Sequence, residues 1–325
     1  MRRAILFLIL ILFLPSYSAA NGAYSYDSTD TVVGMNKPYE IKKDESLIEL
    51  ARDEGIGYNE IADANKSIDP WVPKEGAIVT IPKQWVLPDT INEGIIVNLA
   101  EYRLYYFMDI KGKRLVQTFP LGIGREGRET PEGEYRIIEK IKDPTWHPPQ
   151  SLKDERPDLP DSIPPGPKNP LGAYAMRLSI PTYLMHGTNR PYGVGRRVSS
   201  GCIRLYPEDI KTLFGMVKLN TKVKIIYKPI KIGIKDNNVY VEVHKDYFEK
   251  IPDMYEEAVN ILKSRGLFDV VDTVVLRKAV SDETGVPVNI NKTVTVDMAD
   301  TREKMHPNGS DGDKEGTAKD AAPHI

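Results

Sequence analysis

The spacing of apolar and polar positions divides the chain into stretches of different period. Ile5 to Leu14 is one unbroken apolar run, and residues 21–36 are polar and irregular, which predicts a linker. Tyr39-Glu40-Ile41 alternates as a short strand. Asp44 and Ser46 then offer caps to a helix that puts Leu47, Leu50 and Ala51 on one face. Gly55-Ile56-Gly57 ends that helix, and a second, around 59–64, turns Ile61 and Ala64 inward. Ala77 to Ile81 reads as a closing strand, which completes a small α+β unit over 37–83, and 85–92 as a short connector. The pattern then becomes β-rich. Segments 95–98, 103–108, 115–120 and 134–138 are dominated by Val, Ile, Tyr and Phe and separated by turns at 109–113 and 122–127.

Short strands at this spacing predict a mainly β, sandwich-like domain over 93–228. Within it, residues 142–170 hold nine prolines and no hydrophobic period. A loop of that length inside a compact domain predicts a functional element such as a lid. A strand over 182–185 delivers His186 at its end, Ser199 to Leu205 returns beside it, a helix is expected over 208–216, and 223–227 closes the sheet. Beyond Pro229, a hairpin (231–234 and 239–243) and an amphipathic helix over 252–264 form a segment, 229–290, with no assigned role. From about 291 Lys, Asp, Gly and Ser recur among other polar residues, a composition that predicts a disordered tail to 325.

The chain has 325 residues and a formal charge of −2, so no basic surface for nucleic acid is implied. Arg2 and Arg3, the apolar run and Ser18-Ala19-Ala20 together read as a signal peptide over 1–20. The run is shorter than the ~20 residues a membrane span needs, so no stable span is expected after cleavage. Export invites disulfides, yet the chain has one cysteine, Cys202. A solitary thiol in an exported protein points to reactivity.

Cys202 lies in Ser199-Ser200-Gly201-Cys202-Ile203-Arg204, a polar, Gly-bent and electropositive setting that predicts a lowered thiol pKa. His186 is one of five histidines and stands at a predicted strand end, where it would take the thiol proton. An ordinary thiol, with a pKa of about 8.5, is only a few per cent thiolate at pH 7 and needs such a base. The N–H groups of Gly201 and Cys202 are the candidate donors to a tetrahedral oxyanion. Arg204 suits a substrate carboxylate; the competing expectation is a structural salt bridge to Glu208 or Asp209. The histidines show no H-x₃-H or HExxH spacing, so no metal or other cofactor is implied. Gly122 to Gly127 fits a dinucleotide fingerprint only nominally, because a turn and a strand follow it instead of a helix.

His186-Gly187-Thr188, the sixteen-residue step to Cys202, and SSGCIRLYPEDI resemble the L,D-transpeptidase family, which remodels bacterial peptidoglycan. TPEGEY and PTWHPP resemble further parts of its catalytic domain, the latter a substrate-side loop with Trp146 and His147. Residues 37–83, with DESLIELA and VTIP, resemble a LysM domain. The match is nearest to the enterobacterial type, in which a LysM module precedes the catalytic domain. One departure is Ser200, where the family often has His.

The resemblance implies Cys202 as nucleophile and His186 as proton donor and acceptor, its ring oriented by the backbone carbonyl of Gly187. It also implies substrate contacts at Ser199, Ser200, Tyr174, Trp146 and Arg204, and a glycan groove at Asp44, Glu45, Ser46, Ile68 and Asp69. The partners would be stem peptides and glycan strands of peptidoglycan and an acceptor that is a second stem or a lipoprotein lysine, in the periplasm. Carbapenems would acylate Cys202. Two alternatives stay open. The same thioester passed to water would make a carboxypeptidase or hydrolase, and a glycan-binding wall protein would use the LysM region alone.

Overall fold

The computed structural model describes residues 22–90 and 93–293. The predicted signal peptide over 1–20 and most of the polar tail fall outside the described residues. Among the described residues, no helix is long and apolar enough to cross a membrane.

The small α+β region forms as its pattern requires. Strand Lys37–Glu40 pairs antiparallel with Ile78–Ile81, and helices Leu47–Asp53 and Tyr58–Ala64 lie between them in sequence. Ser46 caps the first helix, its Oγ accepting from the Glu49 N–H at 3.3 Å. Leu47, Leu50, Ala51 and Ile61 point into a shared core with Val79 and Ile81. Ala64, expected inside, is only partly buried.

The β-rich region is built on a nine-stranded sheet curled into a half-barrel, in which Tyr24–Ser25 is an edge strand. Strands Gly94–Asn98, Arg103–Ile110 and Lys113–Pro120 form an antiparallel meander, and Lys222–Ile226 adds parallel to the first of them. The curl comes from the ten-residue strand Gly133–Lys142. Its first half pairs with Lys222–Ile226 and its second half with Tyr174–Leu178, with a register shift between Ile137 and Glu139. A bulge of this kind bends a strand and raises its twist. Leu184–His186 and Ile203–Arg204 complete the far edge, paired in parallel. Helix Pro207–Met216 covers the inner side through Ile210 and Leu213.

Two stretches read as irregular are strands. In 21–36, Tyr24–Ser25 pairs with Leu115 and Val116, and Val32–Gly34 pairs with Gln84–Val86 inside the expected connector. The pairing partners lie 50 to 90 residues away, so nothing local announces it. Trp85, at the centre of the second pair, is buried against Tyr24 and the Arg103 guanidinium.

Residues 230–290 fold around their own core. The hairpin Ile230–Lys235 and Asn238–Val243 turns on Asp236 and Asn237, both at positive φ, and gains a third strand, Val288–Asn289. Helix Met254–Ser264 is joined by a helix the sequence pattern did not reveal, Thr273–Asp282, capped by Asp272. A fully buried polar joint fixes this region to the sheet. The Lys231 ammonium lies 2.6 Å from Glu101, 2.8 Å from Glu242 and 2.8 Å from the Val86 carbonyl, and His244 bonds Glu242 at 2.6 Å. Each charge there has a partner, which is the condition for burying it.

Candidate active site

His186 ends its strand opposite Ala175 on one side and Arg204 on the other, and Leu184 stands opposite Arg177. Side chains alternate between sheet faces with a period of two. His186, Arg204 and, one residue before its strand, Cys202 therefore share a face with Arg177. Met185 and Ile203 take the opposite face and sit in the core. The register brings His186, Cys202 and the Arg204 guanidinium to one surface.

The His186 ring is buried, and its Nδ1 lies 2.5 Å from the Gly187 carbonyl. A carbonyl only accepts, so Nδ1 carries the proton and Nε2 is the unprotonated nitrogen. Burial, with the nearby Arg204 charge, lowers the pKa of His186 to about 3. The resting imidazole is neutral.

Cys202 is partly exposed as a residue, yet desolvation of its sulfur raises the thiol pKa. Arg204 and Arg177 pull the other way and are outweighed. The expectation of a lowered thiol pKa is thereby corrected: the polar sequence around Cys202 folds so that burial of the sulfur dominates. The nearest acceptor to Sγ is the Thr182 carbonyl at 3.7 Å. Thr182 is β-branched and has φ +71°, a strained conformation of the kind found at functional sites.

The turn at Cys202 is braced from both sides. Gly201 has φ +103°, and a Cβ there would lie 2.8 Å from the Tyr183 ring, so glycine is required. The Ser199 hydroxyl accepts from the Gly201 N–H at 3.2 Å and donates to the Cys202 carbonyl at 2.5 Å. Thr130 donates to the Gly201 carbonyl at 2.8 Å and accepts from the Gly124 N–H. The expected oxyanion donor Gly201 N–H is thus already engaged. Among the described residues the Cys202 N–H makes no hydrogen bond.

The salt bridge expected from Arg204 to Glu208 does not form. Glu208 pairs with Arg52 instead, at 3.0 Å, and among the described residues Arg204 forms no ion pair. Its Nε is buried without a partner, and desolvation lowers its pKa. A guanidinium held this way is set up for an incoming anion.

The other expected contacts divide. Ser199 is buried and braces the turn; Ser200 is exposed beside it. Tyr174 lies on the core face, its ring 4.9 Å from Phe214, so it does not line the Cys202 side. Trp146 is half-buried in the proline-rich loop, bridged to Ile163 through both N–H groups, and His147 is exposed. That loop contains a short helix, Gln150–Glu155, tied by Glu155 to Arg125 and Arg128.

In the α+β region, Ser46 caps a helix and Glu45 accepts from Tyr39 and the Lys42 N–H. Asp69 caps its own turn at Trp71 and Val72, Ile68 packs on the core, and Asp44 stands at φ +59°. Thr130, Thr182 and Tyr183 were not singled out in the sequence. Only Thr130, inside TPEGEY, carried a local signal.

Residues 92–225 match the family model of the YkuD L,D-transpeptidase catalytic domain. The chain is 39% identical over 275 residues to the probable L,D-transpeptidase YcfS of Escherichia coli K12, covering 80% of this chain and 85% of the relative. It belongs to the L,D-transpeptidase family. It is 38% identical over 249 residues to the probable L,D-transpeptidase ErfK/SrfK of Salmonella typhimurium, with 73% of this chain and 80% of the relative covered. Against the probable L,D-transpeptidase YbiS of E. coli K12 it is 37% identical over 274 residues, covering 80% and 89%. These alignments extend well beyond the catalytic domain on each chain. This L,D-transpeptidase is an enzyme of the cysteine type, and its one cysteine is Cys202.

Proposed function

We propose that this enzyme transfers the acyl group of a peptidoglycan tetrapeptide stem through a thioester on Cys202. The observation that carries the reading is the Arg204 guanidinium, without an ion pair among the described residues, on the same face as Cys202 and a His186 ring whose Nδ1 is held by the Gly187 carbonyl. Arg204 takes a carboxylate of the stem and sets the bond between the diamino acid and the terminal D-alanine at the sulfur. His186 Nε2 accepts the thiol proton as the S–C bond forms, and the Cys202 N–H receives the developing oxyanion. Collapse breaks the C–N bond, and His186 returns the proton to the departing D-alanine amine. An acceptor amine then gives a proton to His186, attacks the thioester and expels the sulfur, which takes that proton back.

The acceptor is a side-chain amine of a second stem or a lipoprotein lysine, and water in its place gives a carboxypeptidase. Residues 37–83 act as a LysM module that holds the glycan strand, which the strand–helix–helix–strand order supports. The N-terminal export signature supports a periplasmic site. Mass spectrometry of products from disaccharide-tetrapeptide tests the proposal. A cross-linked dimer with D-alanine lost, absent with Cys202→Ala, is expected. Full turnover by Cys202→Ala would refute the mechanism. Tripeptide alone would assign the thioester to water or to an acceptor missing from the assay, which a lysine-terminated peptide would supply.

A further inference from the structure

We infer that Asn169 is a positioning residue for the catalytic base: it fixes the turn that backs the Gly187 carbonyl and so holds the His186 ring with Nε2 toward the thiol. This rests on His186 being the base, as proposed above.

Asn169 is a completely buried polar residue at the foot of the proline-rich loop. Its amide group satisfies two sides of the structure at once. Nδ2 donates to the carbonyls of Pro144, Ile163 and Pro164 at 2.8, 3.0 and 3.2 Å, which gathers the two ends of that loop. Oδ1 accepts from the Leu171 N–H at 2.8 Å, and the Asn169 carbonyl accepts from the Gly172 N–H at 3.2 Å. The turn 169–172 is thereby fixed, and it lies directly against the base. A Cβ on Gly187 would be 3.3 Å from the Leu171 oxygen. Gly172, at φ +67°, passes so close that its own Cβ would meet Gly187 Cα at 3.1 Å and the Thr188 nitrogen at 3.0 Å. The Leu171 carbonyl also faces the His186 ring and favours its protonated form.

Gly187 offers no side chain to hold its own carbonyl in place. The wall behind it is backbone, and that backbone is set by one buried amide. Asn supplies a donor and an acceptor on a short stem, which no apolar residue and no acid can do together. Asp keeps the acceptor for Leu171 and turns an oxygen toward three carbonyls.

The test compares wild type, Asn169→Asp, Asn169→Ala and His186→Gln on the full mature chain. Turnover on disaccharide-tetrapeptide gives kcat and KM, and ¹⁵N-histidine NMR reads the ring tautomer of His186. Misplacing a catalytic group by about 1 Å costs on the order of 100-fold. Asn169→Ala should therefore lower kcat by about 30- to 100-fold with KM within about threefold, and the His186 signal should pass from pure Nδ1–H to a tautomer mixture. Asn169→Asp should show the same direction. A variant that loses kcat while its His186 stays pure Nδ1–H overturns the inference and leaves Asn169 a merely structural residue. An unchanged kcat overturns it too. Full turnover by His186→Gln would instead refute the assignment of the base, whatever Asn169 does.

Discussion

Cys202 and His186 rest as a neutral thiol and a neutral imidazole, and this is testable without substrate. Burial pushes the thiol pKa up and the imidazole pKa down to about 3, so each shift disfavours the charged partner. At pH 7 an imidazole with a pKa of about 3 is protonated in about one molecule in ten thousand, against about one in four for a free histidine. The difference of 3.5 between 6.5 and 3, at 1.36 kcal/mol each, is about 5 kcal/mol against an imidazolium in the resting site. The assay is the rate of Cys202 alkylation by iodoacetamide from pH 5.5 to 9.5. A neutral pair predicts a rate that climbs about tenfold per pH unit, because only the thiolate reacts, and still climbs at pH 8.5. His186→Gln should leave that profile nearly unchanged while lowering turnover by about 10²- to 10⁴-fold, the usual worth of a general base. A reactivity plateau between pH 5.5 and 8, present in wild type and lost in His186→Gln, would refute the reasoning. It would show a resting thiolate–imidazolium pair.

Four further outcomes follow from the same geometry. The folded-state pKa of His186 lies below its unfolded value, so the neutral ring's contribution is complete above pH 6.5 and is lost as pH falls toward 3. Between pH 7 and 5 that loss is about 2 kcal/mol, and urea unfolding should show it in wild type and not in His186→Gln. Gly201→Ala forces an L side chain to φ +103° and into the Tyr183 ring, a strain of about 1–3 kcal/mol that should cost activity well before it unfolds the chain in a thermal melt. Arg204→Met breaks no ion pair, so the melting temperature should hold while kcat/KM drops by about 10- to 100-fold, the worth of a charged hydrogen bond. Glu60→Gln leaves the fully buried Arg103 guanidinium without its carboxylate, a change of about 3–5 kcal/mol readable by denaturant unfolding.

The proposed chemistry could be read from the sequence because its residues are local in the chain. His186, Gly187, Gly201, Cys202 and Arg204 lie within nineteen positions, and one parallel strand pair, Leu184–His186 with Ile203–Arg204, joins them. The two helices near the N-terminus were legible for the same reason: caps and apolar spacing sit inside each segment. What escaped is what depends on distant partners. Val32–Gly34 is a strand only because Gln84–Val86 lies beside it. Helix Thr273–Asp282 begins with three β-branched residues, Thr273, Val274 and Val275, and burial of Leu276, Ala279 and Val280 overrides that propensity. The role of Ser199 escaped because a hydroxyl next to a nucleophile reads as substrate-facing, whereas the fold buries it under the turn. The thiol's pKa direction escaped because charge is visible in a sequence and desolvation is not.

The loop between base and nucleophile, 187–198, is not held by the catalytic sheet alone. The N-terminal N–H groups of helix Tyr58–Ala64 donate to it, Tyr58 to the Val194 carbonyl at 3.3 Å and Asn59 to the Gly195 carbonyl at 3.4 Å. Gly57 and Gly195 meet so closely that a Cβ on Gly57 would lie 2.8 Å from Gly195 Cα. Arg196 lays its guanidinium 3.7 Å over the Tyr58 ring, and Tyr206 donates to the Ile56 carbonyl at 3.1 Å. Beneath this contact the buried Arg103–Glu60 pair joins the same helix to the sheet. A tether would leave the α+β region free to swing; these contacts are short, partly buried and include backbone on both sides. A glycan strand held by residues 37–83 would then stand at a fixed distance and angle from Cys202. The choice of stem along that strand becomes a matter of geometry as well as of affinity. A small side chain at Gly57 should accordingly lower turnover on polymeric peptidoglycan and on short donors alike, because it displaces the loop itself and not only the strand bound beside it.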